Sequence, residues 1–262
     1  MNMNFIVVDG ELVFEDSLEL LLMQNSQSAA NFKFPKNIHF VKFPKRINYN
    51  MANLKFTSSI QSIILPQFYH QSYKNVIFPE NLQSITFGEY YNISIDDVKF
   101  PKSLLFIKFG DTWNQNIDNV IFPESLLSIK FGSMFTQNID GVTFPNSLQN
   151  IEFGLYFNEN LDKVTFPNSL QSITFGSFYN HDLDNIKIPK SFQFIFFETY
   201  NNNKLHEYIK EIKICEIVEP FYNLPFSLKQ IAIVKKKNIE CENIDKILKK
   251  SKIPFGCNIV YE

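Results

Sequence analysis

The sequence predicts a mostly β solenoid of 22-residue coils, with two parallel sheets, little helix and a cap at each end. Three observations carry this expectation. Phe-Pro pairs recur at Phe78-Pro79, Phe100-Pro101, Phe122-Pro123, Phe144-Pro145 and Phe166-Pro167, with Ile188-Pro189 next, and each step is 22 residues. Apolar columns keep the same register: Leu82, Leu104, Leu126, Leu148 and Leu170 lie three residues after each Pro, and Ile85, Ile107, Ile129, Ile151 and Ile173 six after. Within short hexads the apolar residues alternate, which is the period of a strand. Self-similarity at a fixed period of this size is the mark of stacked repeats.

The elements follow in chain order. Residues 1–33 read as an N-terminal cap, because "FIVVDGELVF" sets Asp9-Gly10 between two apolar runs, a strong hairpin signal. Residues 34–199 form the repeat region. Two degenerate coils come first: Pro35 leads Ile38, Val41, Phe43, Ile47 and Leu54, and Thr57 stands in a Pro place before Ile60, Ile63, Leu65, Tyr69 and Val76. Six clear coils start at Pro79 through Pro189.

Each coil holds an internal echo, as in Leu126-Ile129-Phe131 followed by Ile139-Val142-Phe144. Two strands per coil are therefore expected, one on each side, with Pro outside the ladder at a corner because it lacks an N–H. The column Gly88, Gly110, Gly132, Gly154 and Gly176 calls for positive φ or for tight packing. Beyond Pro189 the period breaks at "ETYNNNK" and resumes, shortened, in "YIKEIKI" and "PFSLKQIAI". Residues 200–262 thus comprise degenerate repeats and a C-terminal cap, a short helix followed by a strand. A single coil cannot bury its apolar face alone, but stacking can.

The stretch "FPKSLLFIKFGDTWNQNIDNVIFP", Phe100 to Pro123, resembles the FNIP repeat, a 22-residue relative of leucine-rich repeats abundant in slime moulds and giant amoeba-infecting viruses. The resemblance covers roughly residues 34 to 200 well and the remainder loosely. It implies a leucine-rich-repeat-like horseshoe with a binding role and no catalytic residues. Some members join the repeats to an F-box, which would make them ubiquitin-ligase adaptors. Residues 1–33 are short for an F-box and do not match one.

Bulk properties narrow the function classes. A net charge of −2 creates no general attraction for nucleic acid or acidic membranes. The runs Lys235–Lys237 and Lys249–Lys252 read as solvated faces. The N-terminus has no secretory pattern, and no apolar stretch is long enough to span a bilayer. Cys215, Cys241 and Cys257 are odd in number and widely spaced, which fits a reducing, cytoplasmic setting (the host cytoplasm for a viral protein). His39, His70, His181 and His206 lack metal-ligand spacing, so neither metal nor cofactor is expected.

Repeated polar residues read as scaffold. Each Asp of the column Asp96, Asp118, Asp140, Asp162 and Asp184 is expected to cap its turn by accepting an N–H two residues on. Asn92, Asn114, Asn158 and Asn180 are expected to tie down turn backbone, as is the Ser column Ser103, Ser125, Ser147, Ser169 and Ser191.

The first functional expectation is a non-enzymatic protein–protein interaction scaffold, monomeric, using the solenoid sheet surface and serving as an adaptor for host or ubiquitin-ligase components. Its candidate partner-binding residues occupy outward positions: Phe106, Lys108, Lys130, Glu152, Phe194 and Phe196. Exposed Phe marks contact. For Phe194 and Phe196 the competing reading is that the C-terminal segment folds over them. Two alternatives stand beside the scaffold: an enzyme with Glu198, His206 and Cys215 converging in segment 198–225, and a self-assembling structural protein, which requires uncapped coil ends.

Overall fold

The computed structural model describes residues 5–8, 11–14, 33–47, 50–201, 203–217, 219–234 and 241–262. The chain divides into two units, Met1–Gly132 and Ser133–Glu262. In the first unit, β1 (Phe5–Val8) and β2 (Glu11–Phe14) form an antiparallel hairpin, with Val8 opposite Glu11. Asp9 and Gly10, which carry the turn signal, lie outside the described residues. The strands β3 (Phe40–Lys42), β4 (Ser62–Ile64), β5 (Ser84–Thr86), β6 (Phe106–Lys108) and β7 (Ser128–Lys130) then stack in parallel on β2.

The second unit continues the pattern by itself. It stacks β8 (Asn150–Glu152), β9 (Ser172–Phe175), β10 (Phe194–Tyr200), β11 (Glu211–Ile217) and β12 (Gln230–Ile233) in parallel. The helix α1 (Cys241–Leu248) follows, and β13 (Asn258–Tyr261) pairs parallel with β12. A short helix and then a strand thus stand where the sequence places them.

Each repeat carries one strand, and each unit has one sheet, not two. The second hexad is folded differently from the first. Its I-x-x-V spacing closes a tight turn: Val98 N–H donates to the Ile95 carbonyl at 2.9 Å, and Val120, Val142 and Val164 repeat this with Ile117, Ile139 and Leu161. The following Pro has no N–H to offer a ladder. The coils also stand farther apart on that side. Ring centroids one coil apart are 5.3 Å for Phe87–Phe109 and 5.5 Å for Phe175–Phe197 behind the strands, but 6.4 Å for Phe56–Phe78 and 6.1 Å for Phe144–Phe166 on the opposite side. A parallel ladder needs strands about 4.8 Å apart. Where the opposite side closes to 5.1 Å, at Phe34–Phe56, the adjacent Lys33 and Lys55 do form an isolated bridge.

The columns named from sequence are the core. Leu82, Leu104, Leu126, Leu148 and Leu170 are all fully buried, and Trp113 is buried with its ring 4.0 Å from Phe109. Burying a side chain of this size contributes about 1.5–3 kcal/mol. The Gly column is explained by close approach. A Cβ built on Gly110 would fall inside the Gly88 carbonyl of the preceding coil, and Gly88, Gly132 and Gly176 meet Pro66, Gly110 and Gly154 in the same way. Positive φ occurs only at Gly256 among the described glycines.

The polar columns bind coil to coil. The hydroxyls of Ser103, Ser125 and Ser169 donate to the carbonyls of Leu82, Leu104 and Leu148 at 2.6–2.7 Å. Asn92 Oδ1 accepts from the Asn114 N–H at 2.9 Å, and Asn158 Oδ1 from the Asn180 N–H at 2.9 Å. The expected Asp caps are reversed. Asp118, Asp140 and Asp162 give their backbone N–H to Asn116, Asn138 and Asn160, which lie two residues earlier, at 2.7–2.8 Å. The capping column is therefore the Asn, with Ser94 doing the same for Asp96.

Candidate interaction surfaces

The outward face of the first unit's sheet is built by strand alternation. In β6, Ile107 points into the core while Phe106 and Lys108 point out, and in β7 Ile129 points in while Ser128 and Lys130 point out. Parallel register sets Phe106 opposite Ser128 and Lys108 opposite Lys130. On the other side of β6, Phe106 meets Ser84 and Lys108 meets Thr86. Phe106 is 47 % exposed, so an aromatic ring stands in solvent beside two exposed lysines. Small neighbours leave its faces open.

The second unit holds the other candidates. Glu152 is half-buried in β8, opposite Thr174. Phe194 and Phe196 are half-buried in β10, opposite Glu211 and Lys213 of β11. The Lys213 ammonium lies 5.3 Å from the centre of the Phe194 ring and pairs with Glu262 at 3.0 Å. The neighbouring strand covers these two rings in part.

A further set of exposed apolar residues, Tyr90, Met134, Tyr156 and Phe178, lies eleven residues after Pro79, Pro123, Pro145 and Pro167, at the turn that follows the strand, and was not singled out from sequence. In the first unit Phe68 stacks on Tyr90 at 4.6 Å, with the Arg46 guanidinium 5.5 Å from the Phe68 ring. In the second, Tyr156 stacks on Phe178 at 5.1 Å, and Met134 is 49 % exposed. The 22-residue frame contains this column, and its repeated large apolar residues were the available signal. On the side opposite the strands, Ile77 and Ile121 also stand in solvent.

Cys215 is buried, His206 Nδ1 accepts the Tyr208 N–H at 3.1 Å, and the Glu198 carboxylate accepts the Ser177 hydroxyl at 3.3 Å. Among the described residues no three His, Cys, Asp or Glu side chains gather as a metal site requires, and no helix is long and apolar enough to cross a membrane.

One strand per coil, tight turns such as Leu82 N–H to the Pro79 carbonyl, Tyr91 N–H to the Gly88 carbonyl and Val98 N–H to the Ile95 carbonyl, and the glycine contacts define the class: a β-solenoid of the leucine-rich-repeat type. Residues 69–112 match the FNIP repeat and residues 112–231 match six copies of the BspA type leucine rich repeat region. Residues 69–112 are accordingly similar to the FNIP repeat, and the coils after them to the BspA type repeat. Among solved structures the chain is similar to the giant-virus protein CroV588, a circular leucine-rich-repeat protein, at 21% identity and TM-score 0.51. That match covers 98% of this chain and 50% of the circular protein, so the chain spans half the length of that relative. A leucine-rich repeat protein from Bacteroides ovatus matches at 13% identity and TM-score 0.25, covering 88% of this chain and 73% of that one. The pneumococcal vaccine antigen PcpA matches at 13% identity and TM-score 0.23, covering 87% and 78%. No curated protein matches the chain.

Proposed function

We propose that the protein is a non-enzymatic interaction scaffold whose sheet face holds a protein partner, acting as an adaptor for host or ubiquitin-ligase components. Leucine-rich-repeat folds are generally used for protein–protein interaction, and solenoids offer an extended inner face for it. The observation that carries the reading is Phe106, an exposed aromatic on the first unit's sheet with Lys108 and Lys130 beside it. A large ring at the centre of a polar surface is the composition of a binding anchor. The exposed Lys108 ammonium favours a partner with a carboxylate beside an apolar side chain.

The test is capture from amoeba cytosol by the wild-type chain and by a variant carrying Phe106→Ser, Lys108→Ser and Lys130→Ser, both verified as folded by circular dichroism. A partner held by the wild type and lost by the variant is the expected result. A partner retained by both removes this face from the reading, and capture of a ubiquitin-ligase subunit distinguishes that adaptor role from others.

A further inference from the structure

The aromatic stack at the turn of the first unit is closed by a cation at one end and open at the other. Arg46, Phe68, Tyr90 and Thr112 follow one another at 22-residue steps. Each seats on the coil before it: the N–H groups of Phe68, Tyr90 and Thr112 donate to the carbonyls of Lys45, Gln67 and Glu89 at 2.9–3.0 Å. The side chains therefore line up in that order. Phe68 and Tyr90 stack at 4.6 Å with 12° between their rings, and the Arg46 guanidinium lies 5.5 Å from the Phe68 centre. The cation begins the row, and Phe68 stands between it and Tyr90.

The far face of Tyr90 has no such cover. Tyr90 is 41% exposed, and Phe68 is the only ring packed on it among the described residues. Next in the row comes Thr112, whose side chain is short and whose hydroxyl turns back to donate to the Glu89 carbonyl at 3.0 Å. An aromatic face carries the negative part of the ring quadrupole and attracts a cation. Arg46 meets this attraction at Phe68, and no cation of the described residues meets it at Tyr90.

The open end is acidic. Glu89 precedes Tyr90, and Asp111 precedes Thr112 one coil on. Both carboxylates act on the Tyr90 phenol: a hydrogen bond to Glu89 and its charge, and then the charge of Asp111, raise it above the ordinary value of 10.0. The Glu89 carboxylate also accepts from the Gln67 side-chain amide. Asp111 is exposed, and its carboxylate makes no hydrogen bond or ion pair among the described residues. A cation drawn to the Tyr90 face thus meets a carboxylate free to receive its N–H groups.

We propose that the Tyr90 face, with Asp111 beside it, receives an arginine side chain of a protein partner. A guanidinium suits both parts of the seat: its plane stacks on the ring while its edge donates to the carboxylate. A lysine ammonium brings a point charge without a stacking plane. Such an arginine continues the row that Arg46 begins, on the opposite side of the same two rings. The seat lies in the turn after the strand and does not depend on Phe106 or Lys108.

The experiment is an NMR titration of the full chain with the peptide acetyl-(Gly-Arg)4-amide, following the Tyr90 ring and Thr112 methyl signals. Expected are shifts at both that saturate, weaker binding of the matching lysine peptide, and none of the citrulline peptide, which keeps the shape and lacks the charge. Asp111→Asn and Tyr90→Ser should each weaken binding about two- to fivefold, and Tyr90→Trp should tighten it about twofold, since indole is the strongest cation-binding ring. An unchanged Trp113 indole signal shows that each variant keeps its coil intact. Absence of saturable shifts up to millimolar peptide overturns the proposal. So does binding that responds to Asp111→Asn but not to either Tyr90 variant, which would be ionic attraction without a stacking seat.

Discussion

Lys108 and Lys130 stand directly opposite each other on neighbouring parallel strands, both exposed, with Phe106 on the same face. Like charges facing across a ladder oppose folding, commonly by a few tenths of a kcal/mol up to about 1 kcal/mol. Lys108→Glu is therefore expected to stabilise the chain by about 0.2–1 kcal/mol. It should also weaken the partner captured by the wild type. Urea denaturation at low and high salt checks the first part: the gain shrinks as salt screens the pair.

The exposed and buried phenylalanines of one repeat separate binding from folding. Phe106→Ser should change stability by no more than about 0.5 kcal/mol, since its ring is largely in solvent. Phe109→Ser, three residues on, should cost about 3–5 kcal/mol, because that ring is fully buried and stacks between Phe87 and Phe131. Matched denaturation curves for the two variants decide this.

Gly110→Ala places a methyl group inside the Gly88 carbonyl and forces two coils apart. The neighbour is backbone and cannot rotate aside, so the cost is expected near about 3 kcal/mol. Gly256→Ala meets no atom within 4 Å and carries only the strain of φ +79°, about 1–2 kcal/mol. The two midpoints in urea should differ in that order.

Trp113 occupies the column that Phe135 and Phe157 fill in later coils, and its Nε1–H donates to the Ile93 carbonyl at 3.1 Å. Trp113→Phe keeps the aromatic stack and loses that bond. The expected cost is about 1–2 kcal/mol, one hydrogen bond plus a small loss of packing. A larger loss would mean that the indole fills space the later coils do not have.

Buried tyrosines set an alkaline limit. Burial pushes the phenols of Tyr73, Tyr91, Tyr179 and Tyr200 above the ordinary value of 10.0. A group whose folded pKa is raised stabilises the fold fully below the unfolded value and loses that contribution as pH rises toward the folded one. Stability should therefore hold to about pH 10 and then fall. Absorbance of tyrosinate followed with circular dichroism should show these phenols ionising together with unfolding, after the exposed tyrosines have titrated.

The core columns could be read from the sequence because their contacts recur 22 residues apart and place identical side chains on one another. The second sheet could not, because a turn closing three residues apart and a strand alternating by two both place apolar residues at Ile139 and Val142. The Asp column misled for a related reason: its regularity marks the turn, while the acceptor is the Asn two places before it. On the surface, Phe106 stood out because it breaks the polar pattern within a strand. The Phe68–Tyr90 and Tyr156–Phe178 stacks lie in a turn column where no alternation defines inside and outside.

The glycine-to-carbonyl contact has a consequence for how such a chain can change length. At Gly88, Gly110, Gly132 and Gly176 the repeat rests its backbone on the one before it, through backbone atoms that do not depend on the side chains around them. A duplication or deletion of 22 residues therefore reproduces the same seam, whereas a change of one or two residues within a strand opens it. Solvent-facing positions such as Phe106 take no part in the seam. The fold works as a set of interchangeable rungs, in which the lettering on each rung can be rewritten or moved along the ladder without re-engineering the rails.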